Sequence, residues 1–284
     1  VTAIALAAPS RRRVPRILLL GGIVLALIIV LALIGIWHTP YDPTAFAVRS
    51  RLMPPSAPHL FGTDEYGRDV LSRVLAGAHL SLAIGFGAML ISLVFGVPLG
   101  MLAAFHRGVV EEVVMRSVDL LISLPPILLG LLILAVTPPN TLKTIIAVGL
   151  VYIPILVRLS RAVALALLEE DFVQAAFARG EGAVSILWHE ILPNAWPPII
   201  VECGLRVTFA ILLGSALSFL GLGPQPPSSE WGLMIAESRT FLTQAPWVGL
   251  APGLCLCVLL VAVNLVGEGL REALDPHLRG RAHG

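Results

Sequence analysis

The chain has 284 residues, of which 57% are hydrophobic and only 13% charged, with a formal net charge of +1 at pH 7. A soluble domain carries about a quarter charged residues, so composition excludes an ordinary water-soluble globule and makes lipid the natural solvent. The near-neutral balance gives no electrostatic basis for nucleic-acid binding.

Crossing the hydrocarbon core as a helix takes roughly 20 apolar residues. Stretches that meet or approach this length cover residues 17–37, 80–104, 118–136, 144–166, 199–222 and 250–267. They predict an all-α polytopic membrane protein with six transmembrane helices. The first stretch follows Arg11, Arg12, Arg13 and Arg16 and ends at Trp37-His38-Thr39-Pro40. Its length and the lack of a small-residue cleavage site predict an uncleaved anchor rather than a signal peptide. The third stretch is interrupted by Pro125-Pro126 and the fourth contains Pro154. The backbone groups these prolines free need neighbouring helices or a wet cavity. Gly96 and Gly100 in the second stretch fit the spacing of a close helix contact.

Placing the N-terminus inside puts Arg107, Arg116, Arg158, Arg161, Arg179, Arg271, Arg279 and Arg281 on the cytoplasmic side with the four N-terminal arginines. Arg49, Arg51, Arg68, Arg73, Lys143 and Arg239 then fall outside. This two-to-one excess predicts both termini in the cytoplasm. The domain reading is an inner tail at 1–16, a first helix at 17–37 and an outer loop at 38–79. A five-helix core spans 80–267, with an inner loop at 167–196 and an outer loop at 223–249, and an inner tail occupies 268–284. The second outer loop holds Trp231 and Trp247, residues suited to a membrane interface, and predicts an interfacial or re-entrant segment.

The inner loop carries helix signals that a plain connection does not need. Asp171 with Gln174 three residues on reads as a capping box, and Glu169 and Glu170 place negative charge at the positive end of the helix dipole. Phe172, Ala175, Ala176 and Arg179 share a side at helical spacing. Gly180 fits a left-handed residue just past the helix end. A second short helix is predicted at 183–191, ended by Pro193. An acidic start, one aromatic and a small-residue surface predict a protein-docking helix. A lipid-surface helix would instead carry Lys and Arg on its polar face.

The spacing of Ala175-Ala176, Gly180 and Leu192-Pro193 resembles the EAA signature of ABC importer permeases, E-A-A-x3-G-x9-I-x-L-P. Gln174 stands at the Glu position and Ile191 falls one place late. Three further blocks resemble the C-type permease subunit of the dipeptide and oligopeptide branch. They are Phe61-Gly62-Thr63-Asp64-Glu65-Tyr66-Gly67-Arg68-Asp69-Val70-Leu71-Ser72-Arg73, Glu230-Trp231-Gly232-Leu233-Met234, and Leu274-Asp275-Pro276-His277-Leu278-Arg279. The resemblance implies the type I importer fold and alternating access in a bacterial cytoplasmic membrane. Implied partners are a homologous B-type permease, two ABC ATPases or one fused ATPase, and an extracytoplasmic binding protein. The segment from Glu169 to Gly180, with Leu192 and Pro193, would couple to an ATPase. Short peptides are the implied cargo, and nickel, glutathione and haem importers share the architecture.

A phosphate-binding Gly-rich loop ends in Gly-Lys-Ser/Thr, but the sole lysine, Lys143, follows Leu142. ATP and Mg are therefore assigned to partner subunits, with no cofactor or catalytic residue in this chain. Proton-driven transporters carry unpaired ionisable groups at mid-membrane. Glu202 and Arg206 are four apart in the favourable order and read as a self-neutralising structural pair. A path role for this pair would fit an ion-gradient-driven secondary transporter. Cys203, Cys255 and Cys257 read as buried apolar residues, and no histidine pair has metal-binding spacing.

Overall fold

The computed structural model describes residues 15–136 and 138–274. The arginines at 11–13, 279 and 281 and the block at 275–279 lie outside the described residues. Ten α-helices dominate: α1 (Arg16–Trp37), α2 (Val70–Phe105), α3 (Val109–Ile122), α4 (Pro126–Ala135), α5 (Thr141–Leu168), α6 (Asp171–Ala178), α7 (Ala183–Ser185), α8 (Leu192–Phe219), α9 (Trp231–Ser238) and α10 (Trp247–Leu274). Among the described residues strand pairing is limited to an isolated bridge between Thr63 and Asp69. Among the described residues five helical segments are long and apolar enough to cross a membrane, or six if the bent pair α3–α4 counts as one span.

Several boundaries differ from the sequence reading. Helix α2 begins at Val70, ten residues early, because the Asp69 carboxylate caps it, accepting from the Ser72 N–H at 2.8 Å and the Ser72 hydroxyl at 2.7 Å. The first outer loop therefore closes at Asp69. The third span is not straight: α3 and α4 meet at 94° across Pro125, since a proline supplies no N–H to continue the helix before it. Pro193 does not end a short helix. Ala183 to Phe219 runs as one 37-residue helical segment, with a π turn at Ile186–Ile191 that absorbs the missing proline N–H. The Asn194 side chain donates to the Glu190 carbonyl at 2.7 Å in that turn.

Helices α2 and α5 form the spine. A Cβ at Gly96 would lie 2.8 Å from the Leu156 side chain, and one at Gly100 would overlap the Ser160 hydroxyl. The Ser160 hydroxyl donates to the Leu156 carbonyl at 2.7 Å, and Ser92 on α2 donates to the Gly149 carbonyl of α5 at 2.7 Å. Gly96 and Gly100 are thus packing residues, as their spacing predicts. Helix α8 and α10 complete the main core, in which Leu156, Ile199, Ile211 and Leu259 are buried. A second core joins α2, α4, α5 and α8 around Val148, Tyr152 and Leu217.

Helix α1 touches the bundle chiefly through small residues. A Cβ at Gly21 would lie 2.7 Å from Leu265 on α10, and one at Gly35 would run into the Leu75 carbonyl of α2. The rest of α1 is largely exposed, as are Leu90, Leu132, Leu254 and Val261 elsewhere, which is how a lipid-facing surface presents itself. The cysteines correct the sequence reading: Cys203 and Cys255 are only partly buried and Cys257 is exposed. A thiol on a lipid-facing surface needs no protein burial.

Candidate coupling site

The end of the bundle that carries α6 also holds the end of α2, the first turns of α3 and α8 and the last turn of α5. Gly269 of α10 approaches Leu18 of α1, and Gly204 of α8 approaches Gly267 one level deeper. The start of α1 and the end of α10 therefore share this end.

Glu169 caps the end of α5 and Glu170 is the N-cap of α6, without a side-chain bond. The capping box expected between Asp171 and Gln174 does not form. The Glu169 and Glu170 N–H groups bond back to the Ala166 and Leu167 carbonyls. The Leu168 carbonyl is left over and takes the Gln174 amide at 2.7 Å. The expected docking face also divides. Phe172, Ala175 and Arg179 are exposed, but Ala176 is fully buried with Val173. Val173 is the bulkier apolar anchor, and its partner three residues on follows it inward against the π turn.

The C-terminal end fits the prediction. Gly180 has φ +77°, its N–H bonds to the Phe177 carbonyl at 2.9 Å, and the Glu181 N–H bonds to the Ala176 carbonyl at 3.2 Å. This is a complete Schellman closure. Arg179 reaches across the turn to Glu181 at 2.6 Å and Glu190 at 3.2 Å. The Arg179 hydrogen bond holds the Glu181 carboxyl below the usual carboxylate range. Leu192 is half-buried and Pro193 exposed at the first turn of α8.

The sequence reading passed over Phe177, Val184 and Trp188. Phe177 stacks on Phe105 of α2 with centroids 5.9 Å apart and an interplanar angle of 27°. Val184 is 69% and Trp188 58% exposed, and their four-residue spacing was a signal for a shared face. Helix α6 thus touches the π turn ahead of α8 through Val173, Ala176 and the Arg179–Glu190 pair, and α2 through the Phe177–Phe105 stack.

Two other groups matter. On α8 the Arg206 Nε donates to Glu202 Oε1, and the guanidinium lies 5.8 Å from the Phe209 ring centroid. At the opposite end of the bundle, Asp64 is fully buried and accepts from Arg68 Nε at 2.6 Å and Arg73 Nη1 at 2.7 Å. Arg73 also bonds to Glu237 at 2.9 Å and to the Ser228 carbonyl at 3.2 Å, fastening the first outer loop to the second. Glu230 is fully buried and caps α9 through the N–H groups of Gly232 and Leu233, both at 2.9 Å. Trp231 is buried rather than interfacial, because its indole N–H bonds to the Val74 carbonyl at 3.0 Å. Run position could not reveal this network, since its partners lie up to 164 residues apart.

The family model described as binding-protein-dependent transport system inner membrane component matches residues 96–280. The chain is 43% identical over 270 residues to the di/tripeptide transport system permease protein DppC of Pseudomonas aeruginosa, covering 93% of this chain and 89% of that protein. It is 39% identical to the dipeptide transport system permease protein DppC of Alkalihalophilus pseudofirmus, covering 93% of this chain and 87% of the relative. Identity to the glutathione transport system permease protein GsiD of Pectobacterium atrosepticum is 36%, over 91% of this chain and 86% of that one. An inward-facing structure of the MetNI methionine ABC transporter superposes with TM-score 0.59 at 18% identity, covering 72% of this chain and 96% of its counterpart. The chain belongs to the binding-protein-dependent transport system inner membrane components, the multi-pass permease subunits of ABC importers.

Proposed function

We propose that this chain is the C-type permease of an ATP-driven importer of di- and tripeptides. The observation that carries the reading is 43% identity, over 93% of the chain, to a di/tripeptide permease. Similarity to a glutathione permease keeps the cargo within short peptides and favours neither nickel nor haem.

In this reading a homologous B-type permease completes the path. Two ATPases, or one fused ATPase, bind ATP and Mg, and an extracytoplasmic binding protein delivers the peptide. Both termini face the cytoplasm, as does α6, which seats on an ATPase through Phe172, Ala175, Phe177 and the adjoining Trp188. ATP-driven closure of the ATPases moves α6, and α8 and α2 follow through the contacts described. Glu202 and Arg206 neutralise each other within α8 and serve its stability.

The test is purification of the tagged chain from its own membranes in mild detergent, followed by reconstitution and peptide uptake. Co-purification of a second permease and ATPases, with ATP-dependent Ala-Ala uptake, is expected. Uptake by the chain alone, driven by an ion gradient, would overturn the reading.

A further inference from the structure

By formal count the outer-loop network holds more carboxylates than guanidinium groups. It holds three carboxylates, Asp64, Glu65 and Glu237, and two guanidinium groups, Arg68 and Arg73. Asp64 and Glu237 are engaged at 2.6–2.9 Å. Glu65 has its own backbone N–H and, more loosely, the Arg68 Nη2 at 3.6 Å, and its side chain is 9% exposed. Its Oε2 is buried without a hydrogen-bond partner. Burial, reinforced by the charges of Asp64 and Glu237, pushes the Glu65 carboxyl above its ordinary range.

Glu65 and Glu237 line a cavity of about 480 Å³ together with Arg51, Tyr66, Thr240 and Phe241. Arg51 lies 5.8 Å from the Phe241 ring centroid and, among the described residues, forms no ion pair with either carboxylate. A buried carboxylate oxygen left without a hydrogen bond costs free energy that a donor cation in this cavity would recover. The aromatic walls suit an ammonium or a guanidinium. They do not supply the six or more oxygens a calcium ion takes.

We propose that this cavity is a binding site for an organic cation, a primary ammonium or guanidinium group, held by Glu65 and Glu237 at the outer end of the bundle. Resting on the function proposed above, the group comes either from the amino terminus of a cargo peptide or from a basic side chain of the extracytoplasmic binding protein. Arg51, on the lining of the same cavity, is the built-in competitor.

The experiment uses the whole complex in nanodiscs, as wild type, Glu65→Gln and Glu65→Asp. One arm titrates Ala-Ala and its N-acetyl derivative calorimetrically without binding protein, and the other measures binding-protein affinity. Glu65→Gln is expected to weaken one arm about thirtyfold or more, as expected for losing a buried charge partner, with Glu65→Asp retaining most of the affinity. Loss of Ala-Ala binding, with no binding of the acetylated peptide, assigns the group to the cargo; loss in the second arm assigns it to the binding protein. Unchanged affinity in both arms overturns the site. If Glu65→Gln does not assemble, methylguanidinium titrated into the wild-type complex decides, and absence of saturable binding overturns the site. Wild-type Ala-Ala uptake, measured in parallel, separates failure of this site from failure of the peptide-importer reading.

Discussion

Gly180 offers a test in which backbone and surface effects separate. Its φ of +77° lies in the left-handed region, and nothing lies within 4 Å of where a Cβ would sit. A substitution therefore clashes with nothing and meets only backbone strain, about 1–2 kcal/mol for an ordinary L-residue. That strain lowers the population of the Schellman turn by a factor of about 5–30, loosening Arg179 and Glu181 together. Gly180→Ala is expected to reduce ATP-driven uptake and ATPase co-purification toward that range at equal expression. Gly180→Asn, which tolerates this conformation, stays much closer to wild type. Gly180→Asp adds a carboxylate beside Glu181 and abolishes transport. The assay is uptake by the reconstituted complex, with ATPase recovery per permease measured on the same preparation. If Ala and Asn behave alike, backbone strain is not the determinant. Normal uptake with Gly180→Asp would remove α6 from the coupling role.

Three further expectations concern the fold. A Cβ at Gly77 would overlap the Ser229 carbonyl, so Gly77→Ala costs about 1–3 kcal/mol; Gly22→Ala, with open space around it, gains about 1 kcal/mol in helix propensity. Thermal unfolding in detergent should separate the two. Arg73→Met strips Glu237 of its 2.9 Å partner and Asp64 of one of two arginines, for about 3 kcal/mol; protease resistance of the outer loops reads the loss, and unchanged resistance refutes it. Burial raises the Glu230 carboxyl above 4.5. Between 4.5 and that raised value the folded chain holds a proton the unfolded chain releases, so this group's stabilisation is full below about 4.5 and is lost as pH rises through the window. Glu230→Gln should remove that component from melting curves taken across pH, and an identical slope in both proteins would contradict it.

Much of the fold was legible because lipid enforces a simple rule: long apolar runs become helices. The runs at 17–37, 144–166 and 250–267 fall within α1, α5 and α10, and Gly180 announced its own turn. What failed did so at polar residues. Asp69 with Ser72 extends α2 as a cap, but a charged stretch gives no hydropathy signal. Asp171 and Gln174 have capping-box spacing, yet backbone bonding around Glu169 moves the boundary to Glu170 and redirects the glutamine. Ala176 looked like surface because Ala fits either side of a helix; only Val173 beside it decides the inward face. Prolines 125 and 126 marked a break without its 94° angle. The pairing of Arg73 with Glu237 depends on tertiary structure, and no local pattern encodes it.

The contacts of α1 have a consequence for how the chain is made. This helix is made long before α10, yet one of its two seats, around Leu265, lies on α10. At 5–20 residues per second, synthesis leaves α1 waiting for that seat on the order of tens of seconds. Through that interval it stands in lipid with half its docking surface missing. Its uninterrupted apolar sequence lets it wait without a partner. The bare glycines at 21 and 35 let α10 and α2 close against it afterwards without any side chain being displaced. A helix made well before α10 is thus locked in place only when α10 arrives.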